Sequence, residues 1–286
     1  MNACECSGGG RRPIDSGRRR RAPGARAGRL AGVALALSLA HLTGCAGLGK
    51  NEVVPRVIDA QAQDELKRMT DYLANLQHFH FACDITYDDY YTGTQMIQLA
   101  RSLAVDVARP DRARAVVVGD LDHKRYWYDG QQVVVLDVDR NQYSQVAAPP
   151  TIDETLDMLA GRGFVLPVAD LLASDAYRLL TKGVVSGAYV GVRRIGSADC
   201  NHLAFEQDTL DWQIWIDAGD PPLPRKMLIH YKAQPGCPQY QATFTRWETA
   251  AASLPAAEFT PQIPPDAILV ELTPRESTTN AGASKK

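Results

Sequence analysis

The chain has 286 residues, enough for one substantial domain plus an export segment, and its 45% hydrophobic content is that of an ordinary globular protein. The formal net charge of -2 conceals a split: residues 1–44 hold eight arginines against Glu5 and Asp15, which leaves 23 basic and 31 acidic residues from Cys45 onward. That acidic remainder excludes a nucleic-acid-binding surface, which needs clustered Lys and Arg to neutralise phosphates.

The arginine cluster ends at Arg29 and the apolar run LAGVALALSLAHL follows at 30–42, the order of a secretory n-region and h-region. As helix this run spans about 20 Å, short of the roughly 30 Å hydrocarbon core of a bilayer, so it reads as a signal segment rather than a membrane span. Leu42-Thr43-Gly44-Cys45 then matches a lipobox: an apolar residue, two small ones and the thiol that takes diacylglycerol. Residues 1–44 are therefore expected to be a signal peptide that carries Cys4 and Cys6 away, and Cys45 the acylated first residue of the mature chain. Ala46 stands where an aspartate would retain a proteobacterial lipoprotein in the inner membrane, so the expected location is the periplasmic face of the outer membrane. Residues 45–56 read as the lipidated end and a short tether.

Residues 57–76 show an amphipathic helical pattern, with Ile58, Ala62, Leu66, Met69, Leu73 and Leu76 at three- and four-residue steps. Period-two runs follow at 79–91, 96–108, 112–120, 124–128, 133–138 and 142–146, separated by turn chemistry such as Thr92-Gly93 and Asp129-Gly130. They predict an antiparallel meander. Pro149-Pro150 closes it, and 151–180 is helical in pattern behind the capping-box pair Thr151 and Glu154. Strands resume at 183–189, 200–207, 212–217, 226–232 and 239–247, and 273–286 is a polar tail read as disordered.

About eleven strands with few helices predict a mainly β (α+β) fold, a large curved antiparallel sheet whose concave face the helices cover. Alternation in DWQIWID puts Trp212, Ile214 and Ile216 on one apolar face. That face serves either as core filling or as the lining of an apolar cavity, with Tyr126 and Tyr128 as further lining candidates.

PDRARAVVVGD (110–120), KRYWYDG (124–130), CNHLAFEQ (200–207), DWQIWID (211–217) and PLPRKMLIHY (222–231) together resemble an uncharacterised family of predicted periplasmic proteins related to the LolA/LolB lipoprotein-localisation factors. The resemblance covers about residues 57–272. It implies an unclosed β-barrel with a helical lid over an apolar cavity and, as ligand, a lipid or a lipoprotein's acyl chains.

No Gly-x-Ser-x-Gly elbow, Walker loop, dinucleotide fingerprint or His-Glu-x-x-His occurs, so the chain reads as a binding protein without a cofactor rather than an enzyme. Asp137-x-Asp139-x-Asn141 begins like a calcium loop, but Gln142 replaces the required Gly and Ala148 the bidentate Glu, which leaves a hairpin turn. His78-x-His80 and Cys200-x-His202 each offer two ligands where a closed zinc site wants four, so no metal is expected. Cys83, Cys200 and Cys237 remain in the mature domain. A simple meander separates Cys200 from Cys237 by roughly 20 Å of strand, against the 7 Å or so that a disulfide tolerates, so no disulfide is predicted. The expected partners are the membrane, through the lipid on Cys45, and a lipid or acylated ligand. The alternative is a structural module of the envelope that holds a protein partner and no small ligand.

Overall fold

The computed structural model describes residues 57–93, 95–250 and 255–273; the signal segment, Cys45, the tether and the tail beyond Thr273 lie outside the described residues. Helix α1 (Ala60–Asn75) comes first, and two meanders that carry the period-two burial follow it. The first meander is β1 (His78–Thr92), β2 (Gln95–Ala108), β3 (Arg112–Gly119), β4 (His123–Tyr128), β5 (Gln132–Asp137) and β6 (Gln142–Ala147). The second is β7 (Val184–Ile195), β8 (Ala198–Gln207), β9 (Asp211–Asp217), β10 (Pro224–His230) and β11 (Gln239–Glu248). The first and last of these strands pair antiparallel, from Tyr87 opposite Tyr240 to His80 opposite Glu248, with a bulge at Ala82/Cys83. Adding β12 (Ile268–Leu269), parallel to β6, gives one twelve-stranded sheet in the order β12-β6-β5-β4-β3-β2-β1-β11-β10-β9-β8-β7. Its two ends do not pair with each other, so the barrel is unclosed, as the family resemblance implies.

This order explains the lid. β6 and β7 are consecutive in the chain yet sit near opposite edges, so the connection between them must cross the open face. It does so in three short pieces: α2 (Ile152–Gly161), a 3-10 turn at Ala169–Leu172 and α3 (Ala176–Thr181). The sequence pattern suggests helix throughout 151–180, but Gly163, at φ 86°, and Pro167 interrupt it. Capping holds what remains: the Glu154 N–H donates to Thr151 Oγ1 at 3.2 Å, and the Arg178 N–H to Asp175 at 3.1 Å. Ile152, Val168, Leu171, Leu172 and Leu180 of this crossing join the main core.

Helix α1 begins at Asp59, whose carboxylate accepts from the Gln61 N–H at 2.8 Å, and packs Ala62, Leu66, Met69 and Leu73 across β7, β8 and β9 with no solvent contact. The helix is shorter than the pattern at 57–76 because Val57–Ile58 is extended and joins β7 as a parallel bridge at Gly187. The Asp59 N–H donates to the Gly187 carbonyl at 2.8 Å. Gly187 is required by close approach: a Cβ there would lie 2.7 Å from the Phe205 ring and 3.0 Å from Ile58.

The sheet's outer face carries a second, smaller core that the sequence pattern does not foretell. Trp127, Val134 and Leu136 point outward and are covered by Ile263 and Ala267 from the chain after β11. Arg114 pins that segment, with Nε 2.8 Å from Asp106 and its other arm on Glu258. The segment ends as β12 on the β6 edge, while the Val57–Ile58 bridge covers part of the β7 edge. Both ends of the sheet are thus blunted against edge-to-edge pairing.

Candidate functional site

The inner face divides into two parts. Under α1, Trp212, Ile214 and Ile216 of β9 lie on the inner face as alternation requires, against Phe205 and Leu203 of β8 and Met227 and Ile229 of β10. Trp212 stacks on Phe205 with ring centroids 4.3 Å apart. All three residues are core filling and none of them borders the cavity described below: α1 lies over this part of the sheet, and Ile214 and Ile216 are wholly buried. The Trp212 Nε1–H has no acceptor among the described residues, a loss of about 1–3 kcal/mol for a buried donor.

Over the middle strands β2, β1 and β11 the cover is a loop, and a cavity of about 180 Å³ opens between sheet and lid. Tyr87, Arg101, Tyr231 and Tyr240 form the sheet side, and Val165 and Pro167 the lid side. Val165 is 75% exposed and Leu166 43%, two apolar side chains left in solvent beside the opening. Arg101 is the polar centre. Its guanidinium lies 5.0 Å from the Tyr87 ring, its NH1 donates to Asp122 at 3.2 Å, and its buried Nε–H has no acceptor among the described residues. Asp122 also holds Lys124 Nζ at 3.1 Å. Opposite Arg101 on β3 stands Gly119, where a Cβ would fall 2.3 Å from that of Arg101; any larger residue would displace the arginine.

Burial pushes the hydroxyls around Arg101 upward: Tyr126 to about 12, with Tyr231 and Tyr240 also raised. They remain neutral O–H groups at neutral pH. Tyr126 follows the inner-face register beside Ala115 and Val135, and Tyr128 closes against the lid by donating to the Pro149 carbonyl at 2.7 Å. On the lid itself Asp170 is half-buried, and burial alone raises its pKa; among the described residues its carboxylate has no hydrogen-bond donor or cation. Sequence reasoning overlooks Arg101, Tyr87, Tyr231, Tyr240 and Asp170. A signal for the first is present, because alternation in Leu99-Ala-Arg101-Ser-Leu103 sets a cation on the apolar side of its strand.

The remaining candidates fall elsewhere. Asp137 accepts the Arg140 N–H at 3.1 Å and Asn141 takes φ 49°, so 137–141 is the β5–β6 hairpin turn. His80 pairs with Asp106 at 2.9 Å on the outer face, and His202 stacks on Trp215 at 4.1 Å. No group of three His, Cys, Asp or Glu side chains poised for a metal occurs among the described residues. Cys200 lies opposite Asp217 at one end of β9, and Cys237 follows β10 beyond His230 at the other. Burial pushes the Cys83 thiol up to about 12 and Cys200 to about 11, which keeps both as poor nucleophiles. No helix among the described residues is long and apolar enough to cross a membrane.

No curated protein matches the chain. Several solved structures are similar to it. An uncharacterised conserved protein from Thermus thermophilus is 13% identical, with a TM-score of 0.42 over 74% of this chain and 99% of its own. The lipoprotein LppX from Mycobacterium tuberculosis is 14% identical, with a TM-score of 0.41 over 68% and 98%. A LolA superfamily protein from Nitrosomonas europaea is 10% identical, with a TM-score of 0.32 over 70% and 97%. One family model covers residues 62–273, which is the whole sheet, its lid and the outer strap, and on that match the chain belongs to the family of predicted periplasmic proteins DUF2092.

Proposed function

We propose that the chain is a membrane-anchored periplasmic lipoprotein that binds a lipid or other acylated ligand between its sheet and its lid, without catalysing a reaction. The observation that carries this is the cavity beneath the lid loop over the central strands of an unclosed apolar sheet, walled by aromatic rings and bordered by exposed Val165. At about 180 Å³ it is smaller than the roughly 300–1,000 Å³ of ordinary ligand sites. An acyl chain therefore enters only when the 162–168 loop and the short lid helices swing outward, extending the cavity toward Tyr126 and the inner face of β4 and β5. The anchor is the lipid on Cys45, and Ala46 behind it directs the protein to the outer membrane.

Two experiments test this reading. Cys45→Ala is expected to move the protein from the membrane to the soluble periplasmic fraction; retention in the membrane would overturn the anchor. Native mass spectrometry of the mature protein, with organic extraction of what co-purifies, is expected to find a bound lipid in stoichiometric amount. An empty protein that also takes up no added fatty acid would overturn the binding reading.

The dense packing beneath α1 favours a second reading, in which the sheet is a rigid envelope scaffold with no small ligand. Co-purification of a stoichiometric protein partner with a lipid-free domain is the result that selects it.

A further inference from the structure

The mouth of the cavity contains more than apolar walls. A guanidinium offers five N–H donors in a planar fork suited to two oxygens of one acid group. Arg101 directs one arm to Asp122, leaves its buried Nε–H without an acceptor, and lines the cavity. Asp122 cannot neutralise it fully, because the same carboxylate also holds Lys124, so two cations share one anion. The phenols of Tyr231 and Tyr240 line the same cavity. We infer that Arg101 is the receptor for the acidic headgroup, carboxylate or phosphate, of an amphiphile whose tail runs under the lid. This rests on the lipid-binding reading and specifies which end of the ligand sits where.

The surrounding charges limit the class further. Asp88 also lines the cavity, its carboxylate accepting the Gln239 N–H at 2.9 Å, and Asp170 stands on the lid near Tyr231. Two carboxylates around one available guanidinium tolerate a headgroup of low negative charge and repel a polyanion. A fatty acid, with one negative charge, or a phosphate monoester, with between about one and two at neutral pH, fits that balance. The headgroup reaches the site from solvent through the 162–168 loop, while the ring faces of Tyr87 and Tyr240 take the first methylenes of the tail. The tyrosines remain protonated and so act as hydroxyl donors to the headgroup rather than as competing anions.

The test uses the full-length exported Cys45→Ala chain, titrated calorimetrically at pH 7 with dodecanoate, dodecyl phosphate, dodecanol and inorganic phosphate. Dodecanoate and dodecyl phosphate are expected to bind about tenfold more tightly than dodecanol, the size of one charged hydrogen-bonded contact. Arg101→Gln should bring both down to the dodecanol level while dodecanol itself is unchanged; Arg101→Lys, which keeps the charge but not the fork, should retain part of the preference. Equal binding of acid and alcohol by the unaltered site, or a preference that survives in Arg101→Gln, overturns the headgroup site alone. Inorganic phosphate binding as tightly as dodecyl phosphate overturns it in favour of a free-ion site. Failure of all three amphiphiles to bind removes the lipid-binding reading and the headgroup site with it. Should Arg101→Gln fail to fold, the comparison of acid with alcohol on the unaltered site still decides.

Discussion

Two regions of the inner face are made from the same sheet and differ in what covers them. At the β7–β9 end a capped four-turn helix lies across the strands, and Leu66, Leu203, Ile214 and Ile216 have no solvent contact. Over β2, β1 and β11 the cover is an interrupted crossing that includes a glycine- and proline-broken loop, and beneath it lie an arginine, three tyrosines and a cavity. A continuous helix buries an apolar stripe and leaves no room. A crossing forced by topology, spanning from one edge strand toward the other, leaves gaps that polar side chains and a ligand can occupy. The first region gives stability, and the second leaves room for the ligand proposed above.

The largest effect expected from breaking this contrast is at Leu66. Leu66→Ala should cost about 2–5 kcal/mol, because a wholly buried leucine leaves a cavity that neighbours fill only in part. In urea the midpoint should fall with no change of slope. Val165→Ala at the mouth should stay within about 0.5 kcal/mol, since Val165 is 75% exposed. Similar costs at the two positions would show that the mouth is as tightly packed as the α1 end. Next in size is Gly187→Val, whose added carbons collide with Phe205 and Ile58 and should cost about 1–3 kcal/mol. Hydrogen exchange at the Asp59 amide, which donates to Gly187, should speed up more than exchange in β9. Unchanged protection at Asp59 would show that the bridge does not need a bare backbone there.

Local pattern carries much of the fold. The meander strands are readable because inner residues such as Val133, Val135, Leu203 and Phe205 alternate with outer ones, and α1 because its buried residues fall three or four apart. Other features depend on distant contacts that no local window contains. The pairing of Tyr87 with Tyr240 joins the first strand to the eleventh, and nothing near either residue announces it. β7 continues past Tyr189 to Ile195 because the irregularity at Tyr189/Gly191 absorbs a glycine that reads as a break. The outer strap at Ile263 and Ala267 is proline-flanked and has no period, so it carries no strand or helix signal. For the site, alternation identifies the apolar face of Trp212, Ile214 and Ile216. Whether that face is packed or hollow depends on where α1 comes to rest.

The smallest predicted effect separates the two regions by sign. A substitution under α1 destabilises, whereas removing the Asp170 charge from the lid should stabilise. Asp170 is half-buried with no compensating cation among the described residues, and its pKa in the folded chain is raised by burial. A carboxyl group with a raised folded pKa contributes its full stability below its unfolded pKa of about 3.9 and loses it as pH rises through the folded value. At pH 7 the ionised group therefore works against the closed lid. Asp170→Asn removes that penalty, and thermal unfolding at pH 7 should shift upward by on the order of 2 °C. The gain should shrink toward zero as both proteins are compared at progressively lower pH, because wild-type Asp170 then becomes neutral as well. Tyr231 and Arg101 do not titrate in this window, so the pH dependence of the difference belongs to Asp170. A gain that persisted below about pH 3.5, under the unfolded carboxyl's own pKa, or a loss at pH 7, would mean that the carboxylate accepts a stabilising contact in the closed state and that the lid is not weakened by its charge.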